Sequence, residues 1–144
     1  MKHSFSAGAV MVGPSNEIGV VSQHGTSWSL LKGTLENGED DLTALKRELD
    51  EEASLTDFKV IKKLGTYERF RIGLNGGEEK TELKTITIYL CSTSQKDLIP
   101  QDPDNPEARW VDPDQVEKLL THPKDKDFYK KYLAEIKNFI RERQ

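Results

Sequence analysis

The sequence has little of what several protein classes need. Its single cysteine, Cys91, excludes an intramolecular disulfide and a cysteine-based zinc site. No apolar run approaches the roughly 20 residues that a membrane-spanning helix requires, and residues 1–13 are too short and too polar for a secretory signal peptide. Repeats and low-complexity segments are also absent. We therefore expect a soluble, cytoplasmic protein with no membrane partner.

The chain has no excess of positive charge. It carries 25 acidic and 21 basic side chains, for a net charge of -4. This balance gives no strong signal for nucleic-acid or membrane-surface binding, so an anionic substrate would have to be bound by local cations or metal ions. The length of 144 residues predicts one domain over 1–144, and it leaves monomer and homodimer equally open.

The hydrophobic pattern predicts the element order β-β-β-α-β-β-β-α-α. The first two strands, 6–12 and 18–22, are predicted to form a hairpin, and a short extended piece covers 28–31. A helix is expected from Asp41 to Ala53, with Leu42, Leu45 and Leu49 as its apolar stripe. This order predicts an α/β fold in which helices cover both faces of a mixed sheet.

The second half of the chain alternates turn signals with apolar segments. A strand is predicted from Phe58 to Tyr67, continuing towards Ile72, and Asn75-Gly76-Gly77 is a turn signal. The strongest strand pattern covers 84–92, and a shorter one covers 108–111. A helix is predicted from 113 to 120, a break at 123–127, and a final helix over 128–141. Both His24 and His122 are interpreted as surface residues.

An acidic run lies near the end of the first predicted helix. Glu48, Glu51 and Glu52 are spaced i, i+3 and i+4, so they share one helix face. Three like charges on one patch destabilise an isolated helix, whereas a hard divalent cation would reverse the sign of that effect. Taken alone, such a run is more often a solvated face than a metal site.

The surrounding residues make the run more specific. From Gly33 to Leu55 the spacing is G-x5-E-x7-R-E-L-x-E-E-x-S-L. This resembles the Nudix box, which is written G-x5-E-x7-R-E-U-x-E-E-x-G-U with U apolar. In this chain Ser54 replaces the second glycine of that pattern. The chain is therefore similar to the Nudix hydrolases. The resemblance implies their α/β/α sandwich and a divalent-metal-dependent hydrolysis of a nucleoside diphosphate linked to another group.

The resemblance also implies roles for the residues of the box. Glu48 and Glu52 would be metal ligands for Mg²⁺ or Mn²⁺, with Glu51 as a further ligand or a proton acceptor. Arg47 would pair with a glutamate of the box and hold it in place rather than bind substrate, and Glu39 would belong to the same network. We count Glu51, Glu52 and Arg47 among the candidate catalytic residues.

Weaker sequence similarities indicate one branch of the family. Residues 28–40 and the strand from Lys84 to Tyr89 resemble diadenosine tetraphosphate hydrolases and their diphosphoinositol-phosphate relatives, although Leu31 and Thr34 depart from that pattern. By this resemblance Lys32 and Lys84 would bind substrate phosphates. Tyr67 could stack on a base, or it could simply be a packed aromatic residue.

A further acid outside the box often binds metal or serves as general base in this family. The loop before the predicted strand 108–111 offers Asp102, Asp104 and Glu107, and Asp104 is the candidate that best matches the usual position. Its side chain is shorter than the glutamate of the relatives.

Three functions remain open from the sequence. The first is hydrolysis of dinucleoside polyphosphates such as diadenosine tetraphosphate. The second is the related removal of modified nucleoside triphosphates, or of pyrophosphate from RNA 5′ ends. The third is an inactive nucleotide-binding module, and the intact acids of the box argue against it.

Overall fold

The computed structural model describes residues 1–72, 77–104 and 106–144, except for the side chain of Ile72. Within these residues the helices and strands follow the predicted order: β1 (Lys2–Val12), β2 (Ile18–Gln23), β3 (Ser27–Thr34), α1 (Asp41–Ala53), β4 (Lys59–Ile72), β5 (Glu78–Ser92), β6 (Ala108–Val111), α2 (Val116–Leu119) and α3 (Pro123–Glu142). Asn75 and Gly76 of the predicted turn lie outside the described residues. No helix in the described ranges is long and apolar enough to cross a membrane.

The strands form one mixed sheet in the order β4-β5-β1-β3-β2-β6. β1 and β5 are parallel, and the other neighbours are antiparallel. The predicted hairpin of β1 and β2 is reduced to one pair, Val12 with Ile18, because β1 pairs instead with β3 and β5. The segments 6–12 and 18–22, which predict the hairpin, are mainly apolar, so their pattern could not indicate which neighbour each strand would take.

Two hydrophobic clusters lie on opposite faces of the sheet, which confirms the α/β/α sandwich. One face packs against α3 and α2, with residues such as Ile86, Ile88 and Phe128 at its centre. The other packs against α1, whose Leu45 and Leu49 meet Leu31 and Met11. Strands such as β1 and β5 therefore send alternate side chains to different helices.

Helix α1 begins and ends where the sequence predicts. The Asp40 side chain accepts a hydrogen bond from Thr43 N at 2.8 Å and caps the first turn. Leu42 is wrong as a core residue, because it is 51% exposed in the first turn. Ala44, Leu45, Leu49, Glu52 and Ala53 form the buried face instead.

The C-terminal helices differ from the prediction. α2 covers only Val116–Leu119, and α3 begins at Pro123 rather than at Phe128. Proline is tolerated in the first turn of a helix, where its missing N–H has no partner in any case. His122 is wrong as a surface residue: it is 3% exposed, and its Nδ1 accepts a hydrogen bond from Lys124 N at 3.0 Å as the cap of α3.

Candidate active site

Gly33 and Glu48 show why the box needs a glycine at the end of β3. A Cβ atom on Gly33 would lie 1.8 Å from the Glu48 carboxyl carbon, far inside any allowed contact. The missing side chain therefore leaves room for Glu48 to lie against the strand backbone. The contact between Gly33 and Glu48 therefore determines how closely this carboxylate of α1 approaches β3.

Arg47 holds two of the acids of the box. Its Nε and Nη2 donate to the two carboxylate oxygens of Glu39, each at 2.9 Å, and its Nη1 donates to Glu48 Oε1 at 2.7 Å. Such a two-pronged pair is among the stronger and better oriented polar contacts in proteins. The hydrogen bond from Arg47 lowers the pKa of Glu39 to about 2.

Glu52 is a buried carboxylate at the boundary of α1 and β3. The residue is 3% exposed, and its Oε1 accepts a hydrogen bond from the backbone N–H of Lys32 at 2.8 Å. Burial raises the pKa of Glu52 well above its usual range, and it also raises the pKa of Glu48. Both carboxylates therefore lie where a bound cation would stabilise their charged form.

Glu51 is placed differently from its two neighbours. Its side chain is 52% exposed, and Glu51 Oε2 lies 3.6 Å from Arg47 Nη1. It does not line the cavity that Glu48 and Glu52 line. Of the three predicted metal ligands, Glu48 and Glu52 thus line the cavity, whereas Glu51 does not.

A polar cavity of about 450 Å³ lies over these carboxylates. Of the predicted site residues, it brings together those with charges of both signs: Lys32, Glu48, Glu52, Lys84 and Asp104. Gly33 and Thr34 form part of its wall, together with Gln23, His24, Thr26 and Ser27. No phenylalanine, tyrosine or tryptophan is among the described lining residues. A ligand of this cavity is therefore bound chiefly by its charged and polar groups.

The cations among the described lining residues come from four strands, β1, β3, β4 and β5. Lys32 is on β3, Arg69 on β4 and Lys84 on β5, and the nearby Lys2 and Arg71 also line the space. Arg69 and Lys84 are directly paired across the sheet. Burial, followed by the charge of Arg69, lowers the pKa of both Lys32 and Lys84. An anion bound among these groups would relieve their mutual repulsion.

Asp104 lies on another wall of the same cavity, with Asp102 beside it. Its N–H donates to Asp102 Oδ1 at 2.9 Å, and its carbonyl accepts from the backbone N–H of His24. The loop before β6 is thus tied to the turn between β2 and β3. The structure places Asp104 in reach of the cavity, and a part in proton transfer stays a prediction.

Tyr67 is not among the residues that line the cavity. Its ring stacks on Phe128, with 4.7 Å between the ring centroids, and its hydroxyl donates to Asp125 Oδ1. Burial raises the pKa of this hydroxyl. In this structure the ring packs between β4 and α3, so stacking on a nucleobase stays a prediction that the described contacts do not support.

The donor set can be compared with what a divalent ion requires. Within the described residues, no three histidine, cysteine, aspartate or glutamate side chains form a ready-made metal site. Mg²⁺, however, is commonly held by one or two carboxylates and completes its shell with water and substrate phosphates. The buried oxygens of Glu48 and Glu52 fit that mode of binding.

Sequence reasoning missed Arg69, Arg71 and Glu82 in the cavity wall. Arg69 belongs to the run T-Y-E-R-F-R on β4, where alternate polar residues suggest an exposed face. Only the pairing of Arg69 with Lys84 shows that this side chain turns towards the cavity end of the sheet. The alternation was visible in the sequence, but the neighbouring strand was not.

Known proteins resemble this chain in sequence and in structure. A family model for the NUDIX domain matches residues 2–132. An RNA pyrophosphohydrolase from Pelagibacter ubique (strain HTCC1062) is 24% identical over 149 aligned residues, which cover 94% of this chain and 89% of that protein.

Two solved structures show the same fold at low sequence identity. The MutT protein from Methanosarcina mazei Go1 has a TM-score of 0.74 at 15% identity, covering 93% of this chain and 95% of its own. The C. elegans Ap4A hydrolase has a TM-score of 0.73 at 19% identity, covering 94% of this chain and 98% of its own. The match to the family model over residues 2–132 shows that the chain belongs to the NUDIX family and is a Nudix hydrolase.

Proposed function

We propose that the protein hydrolyses a phosphoanhydride bond in a nucleoside diphosphate-linked substrate, with a dinucleoside polyphosphate such as diadenosine tetraphosphate as the preferred substrate. One observation carries the proposal: Glu48 and Glu52 share a cavity with the cations Lys32, Arg69 and Lys84. A phosphate chain needs positive charge along its length, and hydrolysis needs further positive charge at the bond that breaks.

Glu48 and Glu52 would hold the divalent ion, Mg²⁺ or Mn²⁺. When bound, such an ion neutralises the charge of the phosphate oxygens and makes a water molecule more acidic. Arg47 keeps Glu48 in position through its hydrogen bond to Oε1, while Glu39 fixes Arg47. Glu51 and Asp104 are the remaining candidate proton acceptors, and Asp104 is the one that lines the cavity.

The preference for a dinucleoside polyphosphate rests on the resemblance of residues 28–40 and 84–89 to that branch. The C. elegans protein of similar fold is an Ap4A hydrolase, which is compatible with the proposal. The cavity offers five cations in all, Lys2, Lys32, Arg69, Arg71 and Lys84, and such a number suits a long phosphate chain.

A second candidate is the removal of pyrophosphate from RNA 5′ ends. It is favoured by the similarity to the RNA pyrophosphohydrolase of Pelagibacter ubique over most of both chains. The net charge of -4 argues against extensive contact with an RNA backbone. An RNA substrate would therefore be bound mainly through its 5′ phosphates.

A panel of substrates tests the proposal. The purified protein is assayed with Mg²⁺ and with Mn²⁺ on diadenosine tetraphosphate, nucleoside triphosphates and a 5′-triphosphorylated RNA oligonucleotide, and the products are separated by chromatography. We expect diadenosine tetraphosphate to give ATP and AMP with the highest kcat/KM. Equal or faster turnover of simple triphosphates would contradict the substrate assignment, and preference for the RNA would establish the second candidate.

A further inference from the structure

Arg69, one of the cations that line the cavity, is held in place by a buried ion pair with Asp125. Its side chain is 2% exposed and that of Asp125 is 1% exposed, with 2.9 Å between Arg69 Nε and Asp125 Oδ1. Tyr67 donates to the same carboxylate oxygen, and Arg69 Nη1 donates to the Phe70 carbonyl at 3.1 Å. A guanidinium has five N–H donors, and these contacts occupy only some of them.

The charges around Arg69 do not balance. Lys32, Arg69 and Lys84 bring three cations to one end of the cavity, and Asp125 forms an ion pair with Arg69. Among the described residues, neither Lys32 nor Lys84 has a carboxylate oxygen within 4.0 Å of its ammonium group. Glu48, Glu52 and Glu82 line the same cavity, and of these Glu82 accepts a hydrogen bond from Ser4 at 2.7 Å and also faces Arg71. Buried charges without partners are costly, so this end of the cavity favours an anion.

The floor beneath these cations is small and polar. On β1, Ser4 pairs with Lys84, Ser6 with Ile86, and Gly8 with Lys32. Ser6 is 3% exposed, and within the described residues its hydroxyl has no hydrogen-bond partner. A Cβ atom on Gly8 would lie 2.5 Å from Lys32 Cβ, so the absence of a side chain there lets Lys32 pack against β1. An unpaired buried hydroxyl such as that of Ser6 is rare unless a ligand or water completes it.

We propose that Arg69 is a further substrate-binding residue and that, together with Lys84, it binds a phosphate group beyond the two that are joined by the cleaved bond. The inference rests on the proposed function and deepens it, because it names substrates with at least three consecutive phosphates. A guanidinium presents two parallel N–H groups to two phosphate oxygens, which a lysine cannot do. Asp125 keeps that fork in one orientation before the substrate arrives.

Binding of inorganic tripolyphosphate in EDTA tests the site without metal or turnover. The probe is titrated calorimetrically into the wild type and into the double variant Arg69→Gln/Asp125→Asn. The double change removes one charge of each sign, so the net charge is kept and no unpaired carboxylate is left buried. We expect the Kd to rise about tenfold or more, as for the loss of a charged hydrogen bond.

A matched control removes an ion pair elsewhere. Lys62 and Glu135 form a more exposed salt bridge between β4 and α3, and neither lines the cavity. We expect the Kd of Lys62→Gln/Glu135→Gln to stay within about twofold of the wild type, because no phosphate contact is lost. An equal rise in both double variants would overturn the proposal, since it would reflect general loosening of the fold.

Circular dichroism shows whether Arg69→Gln/Asp125→Asn folds. If it does not fold, Lys84→Gln provides a second test of the same site. This half-buried lysine can be changed without leaving a buried partner, and we expect a similar loss of tripolyphosphate affinity. An unchanged Kd in a folded Arg69→Gln/Asp125→Asn or in Lys84→Gln, or no binding by the wild type, would overturn the inference.

Kinetics separate this inference from the proposed function. In an active enzyme, Arg69→Gln/Asp125→Asn should raise KM for diadenosine tetraphosphate about tenfold and change kcat little, because a remote contact contributes equally to ground and transition state. Turnover with an unchanged KM would defeat the inference alone. Tripolyphosphate binding that depends on Arg69, without hydrolysis of any phosphoanhydride, would defeat the proposed function alone.

Discussion

The α1 side and the α3 side of the sheet deliver opposite charges to one cavity. Helix α1 contributes the carboxylates of Glu48 and Glu52, which reach the cavity beside Gly33. On the α3 side, Arg69 and Lys84 reach it from β4 and β5, and α3 contributes Asp125 as the partner of Arg69. The acidic side can hold a metal ion, and the basic side can hold phosphates. The Nudix box therefore supplies the acidic side of the site, and residues outside the box supply the basic side.

Replacing Glu52 should have the largest effect on catalysis. We expect Glu52→Gln to fold and to lower kcat by at least ~10²-fold, as for the loss of a metal ligand or proton acceptor. Since Glu51 lies outside the cavity, we expect Glu51→Gln to lower kcat by less than about tenfold. Both are measured with diadenosine tetraphosphate under saturating Mg²⁺, with Glu117→Gln on α2 as a control. An equal loss of kcat in Glu51→Gln and Glu52→Gln would contradict the different roles assigned to these two acids.

Filling the space at Gly33 should disturb only the acidic side. In Gly33→Ala the new methyl group would displace the Glu48 carboxylate, because the two would overlap at 1.8 Å. We expect kcat to fall by about tenfold to 10²-fold, as for catalytic groups misplaced by about an ångström. The Kd for tripolyphosphate in EDTA should change less than about threefold if the basic side is independent.

Thr43→Ala is the control for this change, because it alters an exposed side chain of α1 that neither lines the cavity nor enters the space of Glu48. It should retain both the wild-type kcat and the tripolyphosphate affinity. A Gly33→Ala protein with the wild-type kcat would contradict the role assigned to that glycine.

The sequence is informative wherever function depends on local spacing. The bounds of α1 follow from residues close together in the chain. The basic side is different, because Arg69, Lys84 and Asp125 belong to three elements whose adjacency depends on strand order. His122 and Pro123 were misjudged for a related reason: a proline was interpreted as a break, when the buried histidine before it makes it the start of a helix.

Metal binding by the acidic side should release protons. Burial raises the pKa of Glu52 and Glu48 in the metal-free protein, so some of these carboxyl groups are protonated and must lose a proton to bind a cation. We therefore expect affinity for Mn²⁺ to fall as the pH is lowered from about 8 to about 6. Calorimetry in two buffers of different ionisation enthalpy measures the released protons. Glu52→Gln should release fewer, and a pH-independent affinity would contradict the predicted ligands.

The smallest expected effect concerns stability in acid. The pKa of Glu39 is lowered to about 2 in the folded protein, so its contribution to stability is present above its unfolded pKa and is lost as the pH falls towards 2. We expect Glu39→Gln to have a lower Tm than the wild type near pH 7 and a Tm closer to it near pH 3. Glu36→Gln is the control, because its more exposed carboxylate lies 3.5 Å from Arg47 Nη1 without the two-pronged pairing. A constant difference in Tm at both pH values would contradict this contribution.

The most direct measurement is a crystal structure of the Glu52→Gln protein and of the wild type with Mg²⁺ and a non-hydrolysable diadenosine tetraphosphate analogue. The wild type should hold the ion at about 2.0–2.1 Å from oxygens of Glu48 and Glu52. Its phosphate chain should run towards Arg69 and Lys84. In Glu52→Gln the ion should be lost or displaced while the distal phosphates stay in place. A metal ion away from both glutamates, or phosphates bound beside Asp102 and Asp104, would contradict the two-sided site.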